Sequence, residues 1–407
     1  MNNPKTTNNL PATLSPQQIL EEAKAQFAWQ QAIRRDFHQY PELGYSEFRT
    51  ADKIESYLNE LGIEYSRDET AIVAIVRGSN PGVTLGFRAD IDALPIQEET
   101  GLEFASKNPQ TMHACGHDAH TTILLGTARW FANHRNVIKG NVKFFFQPAE
   151  ETDGGAEIMV QKGCLENPKV DWVFGQHVMP NLPVGIIETK RGTLNGNSTA
   201  LKITISGTSG HGAYPESGID AILAAAQVIT ALHTIVSRRV SPLESAVLSL
   251  GVIQGGQASN IIADKVTISG TLRSATDDLR DKLIKIIEQT ITSVAQGLGA
   301  QGQLNYSYGY AAVVNHDNGV DLVAKVTGKL FGTQALVWKE KPSMGVEDFS
   351  YFILDTPGAF YHLGCGHSDR ENFPLHSSCF NLNEECMPLG TAMQVCLALE
   401  AMGILGD

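Results

Sequence analysis

Positive charge is scarce in this chain. Lys and Arg number 31 against 44 Asp and Glu, a formal net charge of −13 over 407 residues. A nucleic-acid binder neutralises phosphates with a basic face, and docking on an anionic membrane needs the same surplus; the balance argues against both. No run of 18 or more apolar residues appears, so no transmembrane helix is expected. The first 18 residues are polar and lack the apolar core of a signal peptide, which makes the cytoplasm the default location. Cysteine is sparse as well. The six, at 115, 164, 365, 379, 386 and 396, are irregularly spaced and unlike a disulfide framework. Most are expected to be buried free thiols, with Cys115 set apart by its neighbours. What is present is ordinary for a globular chain: 42% hydrophobic and 18% charged residues, enough for two or three domains.

The apolar pattern divides the chain. Residues 16–36 place Ile19, Leu20, Ala23, Phe27 and Ile33 on one helical face, opened by a Ser15 cap and Pro16. A second helix over 46–61 stops at Gly62. Strands are predicted at Ala71–Arg77, 83–87, 141–147 and 170–177, with a helix over 121–133. Strands alternating with helices imply an α/β core with a largely parallel sheet. From residue 201 the order becomes strand 201–206, helix 217–236, strands 246–254 and 265–273, helix 276–298 and strand 303–310. That is the β-α-β-β-α-β order of a ferredoxin-like unit. The expected organisation is a disordered arm over 1–15, a larger α/β domain over 16–195 and 311–407, and an inserted unit over 196–310.

Five stretches carry residues suited to chemistry. Met112-His-Ala-Cys-Gly-His-Asp-Ala-His120 packs three His, one Cys and one Asp into nine residues, a set that suits borderline divalent ions. An extended backbone there would point Cys115 and His117 to one side. The apolar run Phe144-Phe-Phe-Gln-Pro-Ala-Glu-Glu151 ends in two adjacent carboxylates, followed by a Gly-rich turn at 153–155. Like charges side by side are poor structure without a cation, and one can bind metal while the other acts as general base. A third apolar strand ends in His177, and Arg88-Ala-Asp-Ile-Asp92 leaves a strand with two acids, one placed to steer a ligand histidine. The fifth is His376 in Phe373-Pro-Leu-His376. Each can also be read alone as ordinary structure: a polar loop, a solvated acidic turn, a strand-to-turn exit, a core or loop histidine.

Taken in order, the motifs resemble a known family. His38-Gln-Tyr-Pro-Glu-Leu-Gly44, Arg88-Ala-Asp-Ile-Asp-Ala-Leu-Pro95, His113-Ala-Cys-Gly-His-Asp118, Gln147-Pro-Ala-Glu-Glu151, Gly207-Thr-Ser-Gly-His211, Gln257-Ala-Ser-Asn-Ile-Ile262, Gly270-Thr-Leu-Arg273, Gly345-Val-Glu-Asp-Phe349 and Pro374-Leu-His376 run almost the length of the chain. The chain is similar to the metal-dependent amidohydrolases related to aminoacylase, hippurate hydrolase and the indole-acetyl-amino-acid hydrolases.

The resemblance implies a metal-binding α/β domain with an inserted ferredoxin-like dimerisation domain, hence a homodimer. It implies two divalent ions, Mn2+, Zn2+, Co2+ or Ni2+, on Cys115, His117, Glu151, His177 and His376. Glu150 would be the general base, Asp92 would orient a ligand, and His211 would reach the partner subunit's site to steady a carbonyl oxygen. Asn260 and Arg273 would hold the polar end of an N-acyl amino acid. One departure stands out: Glu216 replaces a histidine common at the end of the Gly-His-Gly-Ala-Tyr-Pro run, which bears on substrate preference. A dipeptidase or p-aminobenzoyl-glutamate hydrolase is the neighbouring alternative, and a non-catalytic metal- or ligand-binding relative the alternative of another class. A thiol enzyme would use Cys115 as nucleophile, but a His two residues away is poor geometry for that.

Overall fold

A computed structural model describes residues 14–152 and 154–406. The predicted arm thus lies outside the described residues except at its end. There Leu14 bridges Leu405, and Ser15 caps the helix Pro16–Lys24 with a reciprocal bond to Gln18. Asp153 of the predicted Gly-rich turn also lies outside. The chain divides into two compact units: one runs to Gly192 and takes in Asn315–Glu340 and the residues from Tyr351, the other comprises Thr193–Val314 and Lys341–Ser350.

The first unit is an α/β layer structure. Its eight-stranded sheet runs in the order Glu64–Asp68, Ala71–Arg77, Lys139–Gln147, Asn80–Asp90, Trp172–Pro183, Gly358–Gly366, Ile187–Thr189, Leu336–Trp338. The central strands are parallel, but Glu64–Asp68, Ala71–Arg77 and Lys139–Gln147 pair antiparallel, as do Gly358–Gly366 and Ile187–Thr189. The sheet is therefore mixed, not largely parallel. Phe144, Phe145 and Phe146 are all fully buried, as expected of a strand covered on both faces. Burying each contributes roughly 1.5–3 kcal/mol. The single helix expected over 16–36 is two, Pro16–Lys24 and Phe27–Gln39. The helix predicted to begin at 121 begins at His117, because four apolar-poor residues at its start hid its first turn.

The second unit follows the predicted order. Its four-stranded antiparallel sheet runs Ala246–Gly255, Lys265–Ser274, Asn197–Ser206, Gln301–Tyr308, with the helices Ala221–Arg239 and Asp277–Gly297 supplying the apolar layer. Asp220 and Thr276 cap the two helices, each accepting from backbone N–H groups of the first turn. Among the described residues, Ala221–Arg239 is long and apolar enough to cross a membrane by length and composition, where none was expected. Its Ala221, Ala224, Ala225, Val228, Leu232 and Ile235 are nevertheless buried in the core of this unit.

Candidate metal centre

The carboxyl ends of three neighbouring strands bring the acidic and imidazole groups of the first unit together. Asp90 is paired in register with Gln147 and Arg88 with Gly175, so Asp90, Gln147 and His177 end up level. Ligand sites of open α/β sheets gather at such ends. Beyond Gln147 the chain turns through Ala149, at φ 57°, into Glu150 and Glu151. Gly116, at φ 85°, precedes the helix His117–Asn133 and makes His117 its first residue. A Cβ at Gly116 would lie 2.4 Å from Val178 Cγ2, so only glycine lets this helix start so close to the strand. Cys115 and His117 are thus not on one extended segment; the glycine turn between them brings both donors round.

Donor atoms within 4.8 Å of one another gather in several groups, three of which join expected ligands and Glu150: Cys115, His117 and His177; Cys115, Glu151 and His376; His117, Glu150 and Glu151; Asp90, His117 and His120 form another. Cys115 Sγ is 3.3 Å from His177 Nε2, and Glu151 Oε1 is 3.2 Å from His376 Nε2 and 3.8 Å from His117 Nε2. His376 arrives from a distant loop; its own N–H donates to Ala114 O at 2.8 Å, which ties that loop to the Cys115 segment. Glu150 is buried.

The remaining ring nitrogens and carboxylates orient these groups. His117 Nδ1 donates to Asp92, 2.9 Å from its carbonyl and 3.2 Å from Oδ1, while Asp92 Oδ2 accepts the Glu151 N–H at 3.0 Å. His177 Nδ1 donates to Val178 O at 2.7 Å, which turns Nε2 toward Cys115. Such partners set the tautomer of a ligand histidine.

The electrostatics are those of donors without a counter-ion. Burial and the carboxylates of Glu151, Glu150 and Asp90 push the Cys115 thiol well up. Burial and neighbouring His120 push His177 well down. Burial opposes the proton on His117, yet Asp90, Asp92 and Glu151 outweigh it and raise the ring to about 10. His117 Nε2 is buried and makes no hydrogen bond, and the buried Glu151 Oε1 faces the His376 ring at 3.2 Å. An orphaned His117 nitrogen in a cluster of thiol, imidazole and carboxylate is what a borderline divalent cation would satisfy, by displacing the His117 proton and ionising Cys115. The residues fit a metal centre.

The three histidines of the 112–120 cluster part company. His117 faces the donors. His113 is buried, with neither nitrogen hydrogen-bonded, and burial holds it down at about 3. His120, which carries no separate signal in the sequence, links two walls of the site: Nδ1 donates to Asp90 Oδ1 at 2.6 Å and Nε2 accepts the Val178 N–H at 2.9 Å. Asp90 is held in turn by Arg88 at 2.7 Å. Behind the helix start, Asp118 receives Arg34 at 2.8 Å and His38 at 2.7 Å. Only the pairing of Asp90 with a histidine 30 residues on could have flagged this network, and sequence distance conceals it.

His211, Asn260 and Arg273 belong to the second unit. His211 pairs with Ile261 in a two-residue ladder, and the Gly212 N–H donates to Asn260 O at 2.8 Å, so His211 and Asn260 are neighbours. Both are exposed, as is Glu216. Arg273 is held by a bond from Nη1 to Met344 O at 2.7 Å.

Known proteins are similar to this chain. The profile of peptidase family M20/M25/M40 matches residues 86–400. A probable hydrolase of Synechocystis is 41% identical over 88% of this chain and 92% of its own length. An N-acetyldiaminopimelate deacetylase of Priestia megaterium is 40% identical over 89% of this chain and 95% of its own. Among solved structures, a dinuclear metal-binding M20 peptidase of Bacillus subtilis is similar at a TM-score of 0.83 and 33% identity, covering 94% of this chain and all of the other. With a matching profile over most of its length and a donor cluster at the strand ends, the chain belongs to peptidase family M20/M25/M40 and is a metal-dependent amidohydrolase.

Proposed function

We propose that the chain hydrolyses the amide bond of N-acyl amino acids, of N-acetyl, N-benzoyl or aryl-acetyl type, to a carboxylic acid and a free amino acid. Cys115, His117, Glu151, His177 and His376 would hold two divalent cations. Those ions, when bound, acidify a water and polarise the scissile carbonyl. Glu150, buried beside the donors, takes the proton of the attacking water and passes it to the leaving amine. Asp92 orients His117 and the Glu151 backbone. The observation that carries this reading is the pair of overlapping donor triads sharing Cys115, with a further carboxylate, Glu150, within reach of His117 and Glu151. The N-acetyldiaminopimelate deacetylase relative supports the acetyl end of the substrate range.

His211 is assigned to the oxyanion, from a partner subunit, with Asn260 and Arg273 at the polar end of the substrate. A homodimer is supported by the surface of the second unit. Ala246–Gly255 is an edge strand with Val247, Val252 and Ile253 exposed, and Ile222 and Leu223 stand exposed on its neighbouring helix. Unpaired apolar edges of this kind are normally covered.

The test is a panel of N-acetyl, N-benzoyl and indole-acetyl amino acids offered to the Mn2+- or Co2+-loaded protein, with release of free amino acid as readout. Glu150→Gln is expected to lose about 10²–10⁴-fold in kcat while keeping its metal. Loss of metal in that variant, or turnover of none of the panel, would sink the assignment.

A further inference from the structure

Glu150 stands between two pinned amides. The N–H after it, of Glu151, is accepted by Asp92 Oδ2 at 3.0 Å; the N–H before it, of Ala149, is accepted by Glu47 Oε1 at 2.9 Å. Ala149 sits at φ 57°, a left-handed conformation that alanine does not choose unaided. Something outside the turn must hold it there.

We propose that Glu47 is a positioning residue for the Glu150–Glu151 pair, its buried carboxyl fixing the left-handed turn that presents Glu150 to the cation site. This rests on the reading of Glu150 given above.

Three features support it. Glu47 is fully buried, and its own backbone is anchored at the start of the helix Phe48–Glu60, where its carbonyl accepts the Ala51 N–H at 2.9 Å. The segment leading to it lies directly against the turn. A Cβ at Gly44 would come 2.5 Å from Thr152 Oγ1 and 3.1 Å from Ala149 Cα, so a glycine is required for that approach. Finally, no ion pair to Glu47 is found among the described residues; its Oε2 is buried, and burial together with the charge of Asp92 raises the carboxyl to about 7. Its use is as a hydrogen-bond acceptor, which a neutral side-chain carbonyl can also supply. The stretch from His38 to Gly44, which offers no cation ligand, thereby gains a role: it brings Gly44 and Glu47 beneath the catalytic turn.

The experiment compares Glu47→Ala, Glu47→Gln, Gly44→Ala and Glu150→Gln in the full chain. Two readouts are taken: kcat and KM of the Mn2+-loaded protein on whichever N-acyl amino acid the panel identifies, and amide hydrogen exchange over residues 145–155 of the metal-free protein. Glu47→Ala is expected to lose about 10–100-fold in kcat with little change in KM, and to exchange faster at 149–151, with cation stoichiometry kept. Glu47→Gln is expected to recover most of both losses, and Gly44→Ala to move both readouts in the direction of Glu47→Ala. Unchanged exchange and unchanged kcat in Glu47→Ala would overturn the proposal, as would a Glu47→Gln no better than the alanine variant. If Glu47→Ala does not fold, Glu47→Gln and Gly44→Ala decide: wild-type exchange in Gly44→Ala overturns it. Full activity in Glu150→Gln would remove the reading of Glu150 alone, and the exchange measurements would still decide what Glu47 does.

Discussion

The two units hold their candidate residues in different ways. In the first, most rings and carboxylates near the strand ends are buried or braced, His376 being the exposed exception: Asp92 grips His117 and the Glu151 backbone, and His120 joins Asp90 to Val178. In the second, His211 and Asn260 stand exposed on a short two-stranded ladder, with Ala213 N–H on His211 Nδ1 the sole side-chain bond recorded for either among the described residues. A site that binds cations must be preorganised, because each donor is taken from water and a misplaced one leaves a buried polar group unmet. On the proposed reading, in which His211 serves a second subunit, it can remain solvated until that subunit arrives. The contrast predicts that damage to the first unit strikes metal and stability together, whereas damage to the second strikes turnover alone.

The largest effect expected is loss of the metal. Chelation is expected to abolish turnover, and Cys115→Ser to lower bound cation per chain, read by atomic absorption; a thiol enzyme would survive the chelator. Next comes His211→Ala, expected to lower kcat by about 10²–10³-fold, the usual cost of an oxyanion donor, with an unchanged melting temperature. A melting temperature that falls would make His211 structural and break the contrast. His120→Ala sharpens it from the other side. Removing the link between Asp90 and Val178 is expected to weaken cation affinity about 10–100-fold in a calorimetric titration, although His120 is not itself assigned as a ligand.

The smallest effect lies away from the site. Glu188, paired with His362 at 2.7 Å and Lys339 at 2.9 Å, is held down at about 2 by those bonds. A depressed carboxylate binds its proton more weakly folded than unfolded. Its stabilisation is thus complete above the unfolded value near 4.5 and is lost as pH falls from there toward 2. Glu188→Gln is expected to flatten the acid limb of the unfolding curve in that window.

Much of this could be read from residues alone. The apolar runs ending at Gln147 and His177, the β-α-β-β-α-β order after residue 200 and the ordered motifs all follow from local periodicity and residue type, which the backbone obeys wherever it lies. The missing pieces are those in which distant segments meet. The helix start at His117 was hidden because Gly116 supplies the turn and His-Asp-Ala-His carries no apolar stripe. His120, one of three histidines in a single cluster, is not set apart by its sequence; it bonds Asp90 and the Val178 N–H, partners on other strands. The first helix looked continuous and breaks at Ala25–Gln26, where the pattern carries no Gly or Pro.

By itself the chain's order of residues determined which donors exist, which strands carry them and that the molecule has an inserted unit of different rhythm. Tertiary structure alone decided which of those donors face one another and which merely hold the rest. The physical reason is range: periodicity, caps and turns act over a few residues, whereas a cation site is closed by side chains up to 261 positions apart in number, from Cys115 to His376, that meet only when the sheet is assembled.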